Sequence, residues 1–376
     1  MFVSADAAIT FSQGHPIESA GSSSVSKVIR SVRRKASAVT IDEVAAHAGV
    51  SPMTVSRVIN GNAGVREATR EKVARSVNAL GYRPNLAASA LAAAQQTSIA
   101  LIYTNPSASY LAELLVGTMR GSARAAAQLM IASWDSLDGK GRRNAARQLA
   151  ATVSGVILPS PLCESKAIVS EFANAGVAVL SIGSGRFSDI VSCVRIDEHR
   201  ASYEMVRHLI AKGHTRIGYI KGDPSHAATS LRWQGYRDAL HDAGISYDEK
   251  LVQPGYFTYR SGLGAAENLL TARRPPTAIF ASNDDMAAAV VSVAHRRGLD
   301  VPGDLSVVGF DDTSAATMVW PELTTIHQPV AAMADAAIDI LLREIRRPQH
   351  ATRVIVNHVV PHQLVQRSSV ANAVVT

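Results

Sequence analysis

Short apolar runs alternate with stretches of helical periodicity over residues 99–310 of this 376-residue chain. The apolar runs are Ile99–Tyr103, Met130–Ser133, Val156–Leu158, Val177–Ile182, Val191–Ile196, Ile217–Lys221, Ala278–Ala281 and Leu305–Phe310. The helical stretches are Leu111–Leu129, Glu198–Lys212, Leu231–Ala243, Ser261–Leu270 and Met286–Arg297. Strands that alternate with helices form parallel sheets covered by helices on both faces. Because the 279 residues that follow residue 97 are roughly twice the length of one doubly wound unit, we predict an α/β core of two doubly wound parallel-sheet subdomains.

A different, all-helical pattern precedes the core. Thr40 followed by Glu43 predicts a capping box at the start of a short helix, which Gly49 ends. Ser51 is then the N-cap of a second helix, and a third runs from about residue 67 to residue 80. Two helices joined by a tight glycine turn, with a third in support, predict an all-α helix-turn-helix headpiece.

The net charge of +7 is concentrated near this headpiece. Residues 1–97 contain 11 lysines and arginines against 6 aspartates and glutamates, whereas the other 279 residues are almost balanced. A small basic module indicates a polyanionic partner, although a solvated basic face gives the same count. Residues 1–38 contain a serine cluster and a basic stretch without sustained periodicity, and we predict a disordered arm there.

Residues 39–92 read VTIDEVAAHAGVSPMTVSRVINGNAGVREATREKVARSVNALGYRPNLAASALA. They contain, in order, the motifs D-E-V-A-x-x-A-G-V-S, T-V-S-R-V-x-N, T-R-E-K-V, G-Y-x-P-N and A-x-x-L. Through these motifs the segment closely resembles the headpiece and hinge of the LacI/GalR (lactose repressor/galactose repressor) family of bacterial transcription regulators. The resemblance implies a DNA-binding domain over residues 39–84 and a hinge helix over 85–97. It also implies an effector-binding and dimerisation core over 98–370, similar to periplasmic binding proteins, with crossings between its subdomains near residues 196, 329 and 360.

The resemblance also implies which residues contact operator DNA. Thr54, Ser56 and Arg57 would face the major groove, where arginine pairs with guanine and Met53 offers apolar contact to a thymine methyl. Thr40, Thr69, Tyr82 and Asn85 would lie mainly at phosphates. The hinge would place Leu91 as an apolar wedge in the minor groove, with Ala88 packed close to the DNA. The remaining residues of the implied DNA-binding set are Ser51 and Asn60.

Ligands of open α/β sheets bind beyond the carboxyl ends of the strands, where Thr104, Asn283 and Asp311 lie. The resemblance assigns effector contacts to these three residues and to Arg232 and Phe257. The sequence departs from relatives at four positions. Pro159 and Gly183 replace frequent effector contacts, Pro52 stands at a frequent base-reading position, and Arg66 stands where a serine-type helix cap is common.

Other kinds of site are poorly supported by the sequence. The pairs Asp284-Asp285 and Asp311-Asp312 consist of adjacent residues, whose side chains point different ways, so they do not suit a paired-carboxylate active site. His350, His358 and His362 lack compact metal-ligand spacing. Gly262-Leu263-Gly264 is an incomplete dinucleotide fingerprint without a preceding strand. We therefore expect no enzyme activity, no cofactor and no metal.

The sequence as a whole predicts a DNA-binding transcription regulator, most simply a repressor, controlled by a small ligand such as a sugar. The alternative is a periplasmic-type sugar-binding protein without a transcriptional role. Two cysteines, no apolar run of membrane-spanning length and no secretory signal lead us to expect a cytoplasmic protein rather than a membrane or exported one. Since no heptad extension follows residues 367–369, we expect a homodimer rather than a tetramer.

Overall fold

The computed structural model describes residues 39–59, 65–82, 97–104, 107–348 and 350–373. The chain divides into two compact units, Met1–Ala92 and Ala93–Thr376. The described parts of these units are a three-helix module and a larger α/β core.

The three-helix module consists of α1 (Ile41–Ala48), α2 (Pro52–Ile59) and α3 (Glu67–Leu80). The backbone N–H of Glu43 donates to Thr40 Oγ1 at 3.3 Å, and the backbone N–H of Thr40 donates to Glu43 Oε2 at 2.7 Å. Gly49 ends α1 in the left-handed conformation with φ +62°. The predicted capping box and glycine turn are therefore confirmed. The helices enclose a small apolar core of Val44, Ala45, Ala48, Val55 and Val73.

The first half of the α/β core contains a six-stranded sheet. Its first five strands are β1 (Ser98–Tyr103), β2 (Gln128–Ser133), β3 (Gly155–Pro159), β4 (Ala178–Ile182) and β5 (Ser192–Arg195). The helices that follow the first three strands are α4 (Ala108–Arg124), α5 (Gly139–Ala150) and α6 (Lys166–Asn174). A late strand, β11 (Asn357–Val359), completes the sheet in the order β11-β5-β4-β3-β1-β2, with every pair parallel.

The second half contains a four-stranded parallel sheet in the order β7-β6-β8-β9. Its strands are β6 (Ile217–Ile220), β7 (Val252–Gln253), β8 (Ala278–Ala281) and β9 (Ser306–Val308). The helices are α7 (Glu198–Ala211), α8 (Ala227–Asp242), α9 (Tyr259–Leu270), α10 (Asp284–Arg296) and the short α11 (Ser314–Met318). The antiparallel pair β10 (Thr325–His327) and β12 (Gln363–Val365) lies beside β9, and α12 (Val330–Ile345) packs on α4. The predicted class, two parallel-sheet α/β subdomains, is confirmed.

One predicted helix is wrong at its end. The periodicity predicted a helix from Leu111 to Leu129, but α4 ends at Arg124. Ala126 has φ +52°, and Gln128 already begins β2 opposite Ser98. Pairing with a neighbouring strand therefore overrides the helical pattern of this segment. None of the helices that the structure describes is long and apolar enough to span a lipid bilayer.

Candidate DNA-reading helix and ligand cleft

The second helix of the three-helix module presents a mixed polar and apolar face to solvent. Ser51 caps this helix, because its Oγ accepts the backbone N–H of Thr54 at 3.2 Å. Val55 is buried in the module core, whereas Met53 is 65% exposed and Arg57 is also exposed. Ser56 and Thr54 are half-buried beside them. The burial of one side of α2 thus leaves the side that was predicted to read bases open to a partner.

The other predicted DNA contacts differ in their exposure to solvent. Thr40 is exposed, and its hydroxyl takes part in the capping box with Glu43. Thr69 is half-buried, and Tyr82 is half-buried against the module core. Arg66 precedes α3 without a side-chain cap hydrogen bond. The predicted contacts that lie outside the described residues are Asn60, Asn85, Ala88 and Leu91.

Arg232 lies at the centre of a polar cleft in the α/β core. Its Nε donates to Glu198 Oε2 at 2.7 Å, and its Nη1 donates to the carbonyl of Ser282. The guanidinium carbon lies 3.5 Å from the ring centroid of Phe310, and Nη1 lies 3.5 Å from Asp311 Oδ1. Burial alone would lower the pKa of Arg232, but the charges of Glu198 and Asp311 raise it above its usual range. This arginine is therefore held as a fixed, permanently charged set of donors.

Asp311 faces Arg232 at the carboxyl end of β9. Gln328 Nε2 donates to its Oδ1 at 2.5 Å. Burial raises the pKa of Asp311 to about 7, although Arg232 and Gln328 each act to lower it. Its backbone adopts φ +105°, outside the region that side-chain-bearing residues favour. The backbone conformation and the partners together fix this carboxyl group as an acceptor aimed at the cleft.

Asn283 and Phe257 complete one wall of the cleft. The side-chain oxygen of Asn283 caps α10 by accepting the backbone N–H of Met286 at 3.1 Å, and its Nδ2 donates to the Phe257 carbonyl at 3.0 Å. Phe257 has a backbone φ of +58°. Its ring packs so closely on Gly222 that a Cβ added to this glycine would lie 2.0 Å from the ring. The rings of His226 and Phe257 pack edge to face, with their centroids 5.3 Å apart. Burial lowers the pKa of His226 to about 4.

These side chains line one cavity. Four of the five predicted effector residues line it: Arg232, Phe257, Asn283 and Asp311. The sequence reasoning missed the other side chains that line it, among them Glu198, Gln328, His226, Tyr110 and Ser160. The volume of this cavity is about 50 Å³, which is room for a few waters.

Thr104 is the exception among the predicted effector residues. It lies at the end of β1 but lines a neighbouring cavity instead of the cavity around Arg232. Its side chain is 8% exposed, and its Oγ1 has no hydrogen-bond partner among the described residues.

Comparison with known proteins finds family matches in two parts of the chain. Residues 40–85 match the family model of bacterial regulatory proteins, lacI family, and residues 206–370 match a periplasmic binding protein-like domain. The chain is 33% identical over 334 residues to catabolite control protein A of Priestia megaterium, which covers 88% of this chain and 99% of that protein. It is 35% identical over 332 residues to the HTH-type transcriptional regulator DegA of Bacillus subtilis (strain 168), with 88% and 97% covered.

The chain belongs to the LacI family. Solved structures of the same family resemble it over most of its length. A complex of the transcriptional regulator CelR with cellobiose is 33% identical and gives a TM-score of 0.66, covering 88% of this chain and 99% of that one. The lac repressor dimer bound to operator and the anti-inducer ONPF is 28% identical and gives a TM-score of 0.72, covering 89% and 100%.

LacI-family membership decides between the alternatives left open by the sequence. The chain is a DNA-binding transcription regulator controlled by a ligand; it is neither an enzyme nor a periplasmic sugar-binding protein without a transcriptional role. The carboxylates that raised the question of catalysis have separate partners. Asp284 accepts the backbone N–H of Thr313 at 2.8 Å, whereas Asp312 Oδ1 accepts Arg367 Nη2 at 2.6 Å. Within the described part of the chain, no group of three or more histidine, cysteine or acidic residues is arranged to hold a metal.

The cleft of this LacI-family core is closed by contacts between its two halves. Ser107, ahead of α4, donates its hydroxyl to Asp285 Oδ2 on α10 at 2.8 Å. Glu164, in the turn after β3, accepts the backbone N–H of Ala227 at 2.9 and 3.0 Å. Both contacts must break when the halves separate, so they stabilise the closed form.

Proposed function

We propose that this protein is a dimeric repressor whose affinity for its operator is set by a small ligand of the sugar class bound in the cleft. The observation that carries the proposal is that one chain combines a helix-turn-helix, with Arg57 and Met53 exposed, and a cleft built around the buried pair of Arg232 and Asp311. Guanidinium donors and carboxylate acceptors are the groups that bind sugar hydroxyls. The complex of CelR with cellobiose supports this ligand class.

The proposed DNA contacts divide into base reading and backbone positioning. Arg57 pairs with a guanine, since arginine can donate two hydrogen bonds to that base in the major groove. Thr54 and Ser56 read neighbouring base edges, and Met53 contacts a thymine methyl. The residues proposed at phosphates or in support of them are Thr40, Ser51, Asn60, Thr69, Tyr82 and Asn85.

The proposed control couples the cleft to the hinge over residues 85–97. The chain passes from the six-stranded to the four-stranded sheet after β5 and returns between β9 and β11. After β11 it leaves the six-stranded sheet again for β12, which pairs with β10. We place the crossings near residues 196, 329 and 360, in these connections. A ligand that binds the closed cleft better than the open one shifts the core toward closure. In a dimer, this motion alters the spacing of the hinges, which the ligand does not touch.

Exposed apolar side chains support the homodimer. Met318 is 82% exposed and Trp320 is 78% exposed within one short segment. On the other half of the core, Met119 is 56% exposed and Ile131 is 43% exposed. Large apolar side chains left exposed in groups are typical of surfaces that another chain covers. A second copy also supplies the second recognition helix that a two-fold operator requires. Because the DNA it would bind lies in the bacterial cytoplasm, we propose that location.

Titration of the full-length protein against the DNA upstream of its own gene, with and without a panel of sugars, tests this function. Fluorescence anisotropy should show nanomolar binding that at least one sugar class changes more than tenfold, and sedimentation velocity should show a dimer. The double variant Met318→Ser/Trp320→Ser should dissociate more readily, whereas Val354→Ser, which alters another exposed side chain, should not. Equal affinity for upstream and random DNA, or a monomer at micromolar concentration, would contradict the proposal.

A further inference from the structure

The cavity around Arg232 has an excess of negative charge. The carboxylates of Glu198 and Asp311 both line it, and these side chains are only 4% and 6% exposed. Arg232 is the single positively charged group among the described residues that line the cavity, and it contacts both acids. His226 adds no charge at neutral pH, because burial lowers its pKa to about 4. Two buried acids therefore share one base.

A neighbouring carboxylate adds to this excess. Asp285, in the first turn of α10, lies near enough to Asp311 that its charge raises the pKa of that residue. The hydrogen-bond partners of Asp285 are the neutral hydroxyl groups of Ser107 and Ser109. Burial has the larger effect on Asp311 and outweighs the attraction of Arg232. A carboxylate in such surroundings either takes up a proton or binds a cation.

Three side-chain oxygens at the same cavity have no donor. Glu198 accepts from Arg232 through Oε2, and Asp311 accepts from Gln328 through Oδ1. Within the described part of the chain, no donor reaches the remaining oxygens, which are Glu198 Oε1, Asp311 Oδ2 and Gln328 Oε1. All three residues line the cavity and are more than nine-tenths buried. Buried acceptors are normally satisfied by protein, water or ligand, so this set of oxygens indicates a ligand rich in donors.

A protonated amine matches this set of groups. An ammonium group carries one positive charge and three N–H donors, and it has no acceptor. It therefore supplies both the missing charge and a donor for each of the three oxygens, whereas a hydroxyl supplies one donor and no charge. Nη2 of Arg232 donates to no acceptor of the described residues, so it is left for a hydroxyl of the same ligand.

We propose that the ligand of the cleft is a sugar that carries a protonated amino group, and that Glu198 and Asp311 bind this group. The inference rests on the proposed function and specifies its ligand class. Gln328 accepts the third N–H of the amine, and Arg232 donates to a neighbouring sugar hydroxyl. The ammonium group takes the place of the proton that Asp311 would otherwise bind, so the charges of the two acids are balanced in the complex.

The amine site is tested first with methylammonium chloride and the full-length protein. Methylammonium should raise the melting temperature relative to sodium chloride at equal concentration and pH, and Glu198→Gln should weaken methylammonium binding at least tenfold. The control Glu249→Gln removes an exposed carboxylate outside the cavity and should bind methylammonium like the wild type. The proposal is overturned if methylammonium has no effect beyond that of sodium, or if both variants respond like the wild type.

Matched sugars then test the ligand class with the wild-type protein alone, so the result holds even if Glu198→Gln does not fold. Glucose, glucosamine and N-acetylglucosamine are compared for binding and for their effect on operator affinity, together with galactose and the corresponding galactose derivatives. The N-acetyl forms keep the nitrogen but lose its charge. We expect an amino sugar to bind at least tenfold more tightly than its parent sugar and its N-acetyl form.

The outcomes separate the ligand class from the function. If no amino sugar binds more tightly than its neutral parent, the amine-bearing ligand class is wrong while the repressor function stands. If the protein does not bind its upstream DNA specifically, the proposed function itself fails.

Discussion

Arg232 and Glu198 form a hydrogen-bonded ion pair of 2.7 Å in which the side chains are only 5% and 4% exposed. Glu198 is the first residue of α7, and Arg232 lies in the second turn of α8, the helix packed against it. The pair therefore joins two helices and at the same time orients the donors that face the ligand cleft. A single interaction thus links the stability of the core to the shape of its binding site.

Arg232→Ala should destabilise the core by about 3–5 kcal/mol, because it leaves Glu198 as a buried charge without its partner. The urea midpoint of the full-length protein measures this loss. Arg207→Ala is the control, since Arg207 is an exposed arginine on the same helix as Glu198. An unchanged urea midpoint in Arg232→Ala would show that Glu198 finds another partner or takes up a proton at little cost.

The pH dependence of stability should carry a contribution from Asp311. Burial raises its pKa from 3.8 to about 7, so between these values the folded protein binds a proton that the unfolded chain has lost. Stability from this group is present at low pH and falls as the pH rises through about 7. His226 acts in the opposite direction, because burial lowers its pKa to about 4. The comparison of wild type with Asp311→Asn isolates the aspartate.

Urea midpoints of the two proteins between about pH 5 and pH 8 test this expectation. Wild type should lose stability relative to Asp311→Asn as the pH increases, by up to a few kcal/mol. Parallel curves would mean that Asp311 stays ionised throughout, and that Arg232 outweighs the effect of burial.

Gly222→Ala should abolish ligand binding without affecting DNA binding. The added Cβ would lie 2.0 Å from the ring of Phe257, so the ring must leave its place in the cleft wall. Gly264→Ala is a matched control, because no atom lies within 4 Å of its Cβ and the substitution favours helix α9. Ligand-induced thermal stabilisation, compared with operator binding in the absence of ligand, measures the two effects. Normal ligand response in Gly222→Ala would exclude the Phe257 ring from the binding site.

The sequence predicted the three-helix module well because its signals are local. Thr40 with Glu43, and the glycine at position 49, set helix ends through contacts between near neighbours. The cleft was predicted in part, since strand ends mark where ligands bind and so identified Asn283 and Asp311. Glu198 and Gln328 were missed because their roles depend on Arg232 and Asp311, which lie 34 and 17 residues away in the chain.

Some of these missed residues had a usable signal. Glu198 begins a helix directly after β5, and Gln328 directly follows β10, so both stand at strand ends. By contrast, no signal in the sequence indicated that Thr104 would line a different cavity from the other predicted effector residues. Its strand end lies on the same sheet edge as Pro159 and Gly183, and only the packing of the loops decides which cavity it lines.

Arg57→Ala should weaken operator binding by roughly 1–3 kcal/mol and relax the preference at one base pair. The expected reason is the loss of two hydrogen bonds to a guanine. Anisotropy titrations with the operator, with single-base variants and with random DNA measure the change. Arg75→Ala, which removes an exposed cation from α3, should leave base preference unchanged. Equal weakening on operator and random DNA would show that Arg57 binds phosphate.

Leu91→Ala should reduce both operator affinity and DNA bending while ligand binding stays intact. The sequence from Asn85 to Ala94 is rich in helix formers but long enough for only about three turns, so we expect it to be marginally helical alone and to fold when paired over the operator. A leucine wedge in the minor groove unstacks a base step and bends the duplex, at a cost recovered through added contacts. Energy transfer between dyes at the operator ends measures bending, and Leu86→Ala serves as a control within the same segment. Unchanged bending and affinity in Leu91→Ala would mean that residues 85–97 only tether the headpiece to the core.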